Sequence, residues 1–185
     1  MRLPAPETWV WLRQVHGATV VTVDGSPDTP PEADGAVTAR AGLPIAICTA
    51  DCAPIALDGD HVIGAVHAGW AGLEAGVVEA TVDAMRTAGA GEIRATLGPC
   101  ARPERYAFGA DLLARLVARF GAGVASTTVA GDPALDIPTA VRIALDREGV
   151  RLDDLGVDTI VSPDHFSHRR DGGTGRQAMV VVMTA

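Results

Sequence analysis

The chain is short of positive charge. Its 185 residues carry 15 Lys and Arg against 23 Asp and Glu, which gives a formal net charge of −8. Because nucleic acids and anionic membrane surfaces repel an acidic protein, this balance argues against either of them as a general partner. A small anionic substrate held by a local group of arginines remains compatible with it.

Long apolar runs are absent and cysteine is scarce. No stretch approaches the roughly eighteen apolar residues of a membrane-spanning helix, so we expect none. Residues 1–6 contain two prolines and no apolar core, unlike a secretory leader. Three cysteines, an odd count, are typical of free thiols in a reducing compartment. These features predict a cytoplasmic protein and leave its oligomeric state open.

The sequence alternates between strand-like and helix-like segments. Asp58-Gly59-Asp60 predicts a hairpin turn, so part of the sheet should be antiparallel. Apolar residues at helical spacing predict helices over 72–88, 108–120 and 137–148. Strands are predicted over 9–12, 18–23, 43–49, 54–57, 62–67, 94–97, 157–161 and 178–183. We therefore expect one α/β domain over residues 1–185, with three α/β/α layers around a mixed central sheet.

Three short motifs each place a good metal ligand beside an apolar segment: His16 in QVHG, Cys52 in TADC and His67 in VHAGW. Two imidazoles and one thiolate, with a fourth position open, are typical of a catalytic zinc site. None of the motifs has close CxxC or HxxxH spacing. Each residue alone could instead be a buried thiol or a hydrogen-bonded turn histidine. Cys48 fits that buried alternative, and Cys100 is a weaker alternative ligand.

A different motif, SHRRDGGTGR, covers residues 167–176. It combines Arg169, Arg170 and Arg176 with a Gly-rich turn. Guanidinium forks suit phosphate, and glycines allow backbone N–H groups to approach it, so the motif predicts an anion site. The alternative is a solvated basic hairpin that pairs with the protein's own carboxylates.

Taken in order, QVHG, ADG at 33–35, TADC, VHAGW, LGPC at 97–100 and SHRRDGGTGR resemble the YfiH-type family. Its members are described as laccase-domain or polyphenol oxidase proteins, as purine nucleoside phosphorylases with adenosine deaminase activity, or as peptidoglycan editing factors. The resemblance runs from about Trp9 to the end of the chain. It implies a three-layer α/β/α fold around a mixed sheet.

The resemblance also implies a metal site and an activity. The implied metal ligands are His16, Cys52 and His67, with Zn²⁺ as the usual metal and Cu²⁺ invoked for the oxidases. The implied reactions are phosphorolysis of adenosine, inosine, guanosine and methylthioadenosine, and hydrolytic deamination of adenosine. The expected partners are therefore a purine nucleoside and phosphate.

Further residues take expected roles from this chemistry. A metal with an open position can activate water for attack on the purine C6, with a carboxylate as proton shuttle. Asp51 is the candidate for that carboxylate because it adjoins Cys52, and Gln14 is expected to orient a polar group of the substrate. Phosphorolysis needs phosphate held in line with the ribose C1′, for which Arg170 is the catalytic candidate. The expected phosphate-binding residues are Arg169, Arg170 and Arg176.

This chain departs from the family pattern in two ways. Members usually carry roughly one third more chain before QVHG, a domain-sized fraction, so we expect either a reduced member or a start that lies upstream. His168 stands where the family commonly has an aromatic residue such as tyrosine.

Other functions remain open at this stage. A copper-dependent polyphenol oxidase would need more than the five histidines present, none of them in an HxH pattern. A non-enzymatic or peptidoglycan-editing factor would keep the metal for stability alone. A cysteine hydrolase would use Cys52 as nucleophile and His67 as base, which requires a thiolate that is not tied to a metal.

Overall fold

The computed structural model describes residues 3–173 and 175–184. Its strands are β1 (Val10–Trp11), β2 (Val20–Thr22), β3 (Gly35–Thr38), β4 (Ile45–Thr49), β5 (Ala53–Gly59), β6 (Val62–Ala68), β7 (Arg94–Leu97), β8 (Ala125–Thr127), β9 (Pro133–Leu135), β10 (Arg151–Asp154) and β11 (Gln177–Val181). Its α-helices are α1 (Trp70–Ala75), α2 (Val77–Thr87), α3 (Ala110–Phe120), α4 (Ile137–Arg147) and α5 (His168–Asp171). Among the helices of these residues, none is long and apolar enough to cross a membrane.

A mixed six-stranded sheet forms the centre of the molecule, in the order β10-β7-β5-β6-β3-β2. The pairs β10–β7 and β3–β2 are parallel, and the three pairs between them are antiparallel. The predicted hairpin at Asp58-Gly59-Asp60 joins β5 to β6, with Asp60 in the left-handed region at φ 62°. The predicted α/β fold with a mixed sheet is confirmed.

The helices and a second sheet pack on this central sheet. Apolar side chains of α2 and α4, including Val82 and Leu145, bury the main core against Ile55 and Leu57 of β5. A three-stranded sheet, β1-β4-β11, adds a smaller core with Ile45 and Ile47 facing Ala36 and Ala65 of the central sheet. Alternate residues of a strand share one face, so the apolar face of β4 turns inward. The layer opposite these helices is therefore made of strands.

The local differences from the predicted elements have simple causes. The helix predicted over 72–88 is two helices, because Gly76 adopts φ 93° and ends α1 before α2 begins. The strand predicted over 157–161 is wrong. Asp158 makes one isolated bridge with Cys100, and its carboxylate then accepts the backbone N–H of Ile160 in a turn. The closing strand is instead β10, which pairs in parallel with β7. Sequence patterns also missed β3, β8 and β9.

Candidate metal centre and adjoining cavity

Three separate segments bring the predicted ligands together. His67 lies near the end of β6, Cys52 lies in the turn between β4 and β5, and His16 lies between β1 and β2. Their ligand atoms all lie within 4.8 Å of one another. The Sγ atom of Cys52 is 3.8 Å from Nε2 of His16, and the two imidazole rings meet edge to face with centroids 4.7 Å apart.

This geometry fits a small divalent metal. In tetrahedral zinc with nitrogen and thiolate ligands, neighbouring ligand atoms stand about 3.3–3.6 Å apart, so a small contraction would close the cluster on an ion. The donor set, two imidazoles and a thiolate, suits zinc and also copper. Within the described part of the chain, this is the one group of three His, Cys, Asp or Glu side chains close enough to share a metal.

The protonation of the cluster follows from its hydrogen bonds. Burial alone would raise the pKa of the Cys52 thiol, but hydrogen bonds and positive charge from His16 and His67 outweigh it and lower that pKa to about 6. Burial alone would lower the pKa of His67. Hydrogen bonds to the Asp34 carboxylate and the Cys52 sulfur outweigh it and raise that pKa to about 9. The metal-free cluster is therefore a thiolate beside an imidazolium at neutral pH.

Asp34 contacts the cluster directly, although the sequence motifs predicted no role for it. Its side chain is fully buried, and its carboxylate lies 2.7 Å from Nδ1 of His67. It also accepts the backbone N–H groups of Val15, His16 and Gly17. Burial would raise the pKa of this carboxyl, but these hydrogen bonds lower it overall. The available signal was the ADG motif itself, which places a charged residue directly before a buried strand.

A cavity of about 400 Å³ opens beside the cluster. This volume lies within the range of about 300–1000 Å³ found for small-molecule sites. Besides the three ligands, its lining residues are Gln14, Cys48, Thr49, Ala50, His168 and Arg176. Two of the predicted substrate-binding residues, Gln14 and Arg176, therefore do lie at the site, and His168 joins them. The burial that raises the pKa of the Cys48 thiol is partly opposed by the positive charge of Arg176.

Gln14 uses both ends of its amide on the neighbouring strand. Its Nε2 donates to the carbonyl of Cys48 at 2.8 Å, and its Oε1 accepts the N–H of Cys48 at 2.9 Å. The side chain thus ties the QVHG segment to β4 and shapes the cavity wall. Gln14 therefore makes a structural contact with the Cys48 backbone, in addition to the substrate contact expected of it.

Asp51, which was expected to shuttle protons because it adjoins Cys52, is not among the residues that line the cavity. Its backbone adopts φ 94°, and its carboxylate is almost completely buried. One oxygen accepts the hydroxyl of Thr159 at 2.6 Å, and the other accepts the backbone N–H of Arg169 at 2.7 Å. This arrangement suits a residue that joins two loops better than one that exchanges protons with a substrate.

Arg170 and Arg169 are also not among the residues that line the cavity. The Arg170 guanidinium donates to the carbonyls of Ser162 and His165 at 2.7 and 2.8 Å and pairs with Asp171. The Arg169 guanidinium donates to a backbone carbonyl and lies over the Tyr106 ring, 4.5 Å from its centroid. Of the three expected phosphate-binding arginines, the structure brings only Arg176 to the cavity, because the other two hold the surrounding loops.

Comparison with known proteins gives a consistent picture. The family model described as "Multi-copper polyphenol oxidoreductase laccase" matches residues 1–184. A Xylella fastidiosa protein named "Purine nucleoside phosphorylase" is 43% identical over 190 residues, which cover 95% of this chain and 72% of the relative. A Streptomyces coelicolor protein that also carries this name is 44% identical over 181 residues, covering 94% of this chain and 74% of the relative.

Solved structures share the fold. A Neisseria meningitidis protein superposes with a TM-score of 0.88 at 30% identity, covering 96% of this chain and 76% of that protein. The Bacillus licheniformis protein YfiH superposes with a TM-score of 0.86 at 25% identity, covering 96% of this chain and 75% of that protein. The resemblance to YfiH-type proteins that the motifs predicted is confirmed.

Proposed function

The chain belongs to the family described as multi-copper polyphenol oxidoreductase laccase, and from that premise we propose that it is a zinc-dependent purine nucleoside phosphorylase that also deaminates adenosine. Its substrates would be phosphate and the nucleosides adenosine, inosine, guanosine and methylthioadenosine. The observation that carries the proposal is the convergence of His16, Cys52 and His67 beside a cavity that also holds Arg176. The names of relatives at 43% and 44% identity support it.

Four cavity residues hold the metal and the phosphate in this proposal. His16, Cys52 and His67 would hold the metal, which when bound supplies Lewis acidity beside the open cavity. Arg176 would hold phosphate, since a guanidinium can donate two parallel hydrogen bonds to phosphate oxygens. Phosphate held there by a fixed cation would be ordered against the nucleoside, which lowers the entropic cost of attack at the ribose carbon.

The loops around the cavity would be set by buried hydrogen bonds. Asp51 joins the Cys52 turn to the segment that leads to Arg176, and Arg170 braces that segment through backbone carbonyls. We assign Asp51 and Arg170 to positioning rather than to contact with substrate. His168 lines the cavity and, as an imidazole, can donate or accept a proton, which makes it a candidate for the proton exchange that was expected of Asp51.

The decisive experiment is base release from inosine, measured with and without phosphate. The purified protein should release hypoxanthine only when phosphate is present and should contain about one zinc per chain. Cys52→Ala should lose both the zinc and the activity. Cys48→Ala is the matched control, because Cys48 lines the same cavity but is not part of the cluster, and it should keep its zinc. Zinc-loaded protein with no phosphate-dependent release would refute the phosphorylase.

Deamination needs a separate assay, because water replaces phosphate as the reactant. Adenosine incubated without phosphate should yield inosine and ammonia, and this product should also disappear in Cys52→Ala. If no inosine or ammonia forms without phosphate, while adenine is released once phosphate is added, the phosphorylase stands and the deaminase is refuted.

Copper chemistry is a second candidate because one observation favours it. Two imidazoles and a thiolate also make the trigonal set that binds copper in electron-transfer proteins. A laccase couples one-electron oxidations of phenols to the four-electron reduction of O₂, which needs several coppers, whereas the described residues offer a single cluster. Copper-loaded protein that turns over a phenol faster than Cys52→Ala would support an oxidase. Equal rates in both would exclude this site as its source.

A further inference from the structure

One buried carboxylate connects two metal-ligand segments that are far apart in the sequence. Asp34 lies before β3, and neither of its carboxylate oxygens is exposed to solvent. Oδ1 accepts from Nδ1 of His67 at 2.7 Å and from the N–H of His16 at 2.9 Å, while Oδ2 accepts the N–H of Gly17 at 2.7 Å. The backbone carbonyl of Asp34 also accepts the N–H of His67 at 2.7 Å.

At His67, this contact decides which ring nitrogen faces the cluster. A carboxylate can only accept, so the hydrogen bond places a proton on Nδ1. In the neutral ring the lone pair then belongs to Nε2, the nitrogen left to face Cys52 and His16. A carboxylate behind a ligand histidine also strengthens the ring as a donor to metal.

At His16, the same carboxylate holds an unfavourable backbone conformation. His16 has φ 62°, in the left-handed region that is unfavourable for a non-glycine residue. Such a conformation turns successive N–H groups toward one point and forms a nest that binds an anion. Here the anion is Asp34, which collects the N–H groups of Val15, His16 and Gly17. Without that carboxylate, these three backbone N–H donors would lose their partner.

We propose that Asp34 is the positioning residue of the metal centre: its single carboxylate sets the proton of His67 on Nδ1 and holds the left-handed turn that presents His16. This inference rests on the proposed metal-binding function of the cluster. It assigns to Asp34 no contact with the metal or with substrate. It predicts that the two histidines lose their shared alignment when one carboxylate oxygen is replaced.

The test is the metal affinity of Asp34→Asn. Asparagine keeps the size of the side chain but has one accepting oxygen, so it cannot serve His67 and Gly17 together, and its NH₂ group can only donate. We expect the affinity for Zn²⁺, measured by competition with a chromophoric chelator, to fall about 10- to 100-fold, as is usual for a lost partner of a metal-binding histidine. The absorption bands of bound Co²⁺, which report ligand geometry, should also shift.

Asp154→Asn is the matched control. Asp154 is another mostly buried carboxylate, held by two hydrogen bonds from Arg102 and away from the cluster. Its loss should lower thermal stability but leave zinc affinity within about threefold of the parent, a change near the limit of coupling between distant sites. Unchanged zinc affinity and Co²⁺ bands in Asp34→Asn would overturn the proposal, and so would an equal loss of affinity in Asp154→Asn.

A measurement on the unmutated protein covers the case in which Asp34→Asn does not fold. In ¹⁵N-labelled, zinc-loaded protein, the proton on Nδ1 of His67 should give a downfield resonance that exchanges slowly with water, because it is buried in a hydrogen bond to Asp34. A rapidly exchanging proton there would overturn the proposal. A parent protein that binds no zinc would instead refute the metal centre, and zinc binding without base release would refute only the phosphorylase.

Discussion

The backbone N–H of Arg169 donates to the carboxylate of Asp51 at 2.7 Å, although 118 residues separate the two. Asp51 directly precedes the ligand Cys52, and Arg169 lies in the short helix α5 at the start of the segment that brings His168 and Arg176 to the cavity. The turn that contains Cys52 and the segment that contains His168 and Arg176 are thus attached through one buried side chain.

Replacing Asp51 should therefore disturb the cavity without removing the metal. Asp51→Ala loses the hydrogen bonds from Thr159 and Arg169, and it keeps the β-carbon that Asp51 already holds at φ 94°. We expect it to lower the free energy of unfolding by about 2–4 kcal/mol in urea titrations of the metal-free protein. Asp51→Gly loses the same hydrogen bonds but tolerates the backbone, so it should be more stable than Asp51→Ala by about 1 kcal/mol. Zinc binding lost in both variants would contradict a positioning role.

Gly69 separates β6 from α1 and leaves room for the cluster. A β-carbon at this position would lie 2.9 Å from Cδ2 of His16 and 3.2 Å from Sγ of Cys52. Its φ of −77° suits any residue, so Gly69→Ala should affect the ligands through contact alone. We expect zinc affinity to fall about 10-fold or more, equivalent to the 1–3 kcal/mol of a typical overpacking strain.

Gly109→Ala is the control for that variant. Gly109 also precedes a helix, with φ −61°, and a β-carbon there would meet nothing within 4 Å. Both substitutions carry the same small cost of alanine at a helix N-cap, so their difference in zinc competition isolates the crowding at the cluster. Equal zinc affinities would mean that the cluster relaxes around the added methyl group.

The ordered motifs and the family resemblance predicted His16, Cys52 and His67 as metal ligands, and the structure brings these three side chains together. The sequence did not predict the residues that hold them in place. The contacts of Asp34 could not be predicted, because its partners are mostly backbone N–H groups, which every non-proline residue has. The position of the Asp51 carboxylate away from the cavity lining could not be predicted from its adjacency to Cys52, because adjacency does not determine side-chain direction where φ is 94°.

The strands, too, divide into those that the sequence predicts and those that it does not. Strongly apolar strands such as β4 and β6 were predicted, because burial on both faces selects continuous apolar sequence. The edge strand Arg151–Asp154 is charged, and its parallel pairing with β7 is a tertiary contact that no local pattern records. The apolar pattern of residues 157–161 predicted a strand there. In the structure, a hydrogen bond to the Asp158 side chain bends this segment into a turn.

The arginines of the SHRRDGGTGR motif should separate by function. Arg176→Ala removes a cation from the cavity, and we expect the KM for phosphate to rise about 10-fold or more, as for loss of a charge-assisted hydrogen bond. Arg170→Ala removes donors to the carbonyls of Ser162 and His165, so it should mainly lower the Tm. Steady-state kinetics at varied phosphate and thermal unfolding of both variants test this division. A KM change confined to Arg170→Ala would restore Arg170 as the phosphate ligand.

Zinc binding at neutral pH should release about one proton, and the reason lies in the unequal charges of the metal-free cluster. With a pKa of about 6, Cys52 is already a thiolate at pH 7, whereas His67, with a pKa of about 9, still carries the proton that a metal must displace. The apparent affinity for zinc should therefore rise about tenfold per pH unit between pH 7 and 8.5 and level off above pH 9.

Calorimetric titrations in buffers of different ionisation enthalpy count the released protons. Cys52→Ala, which lacks the thiolate, should give no heat of specific zinc binding. An affinity independent of pH across this interval would show that His67 is neutral before the metal arrives, and that the Asp34 carboxylate does not hold it as an imidazolium.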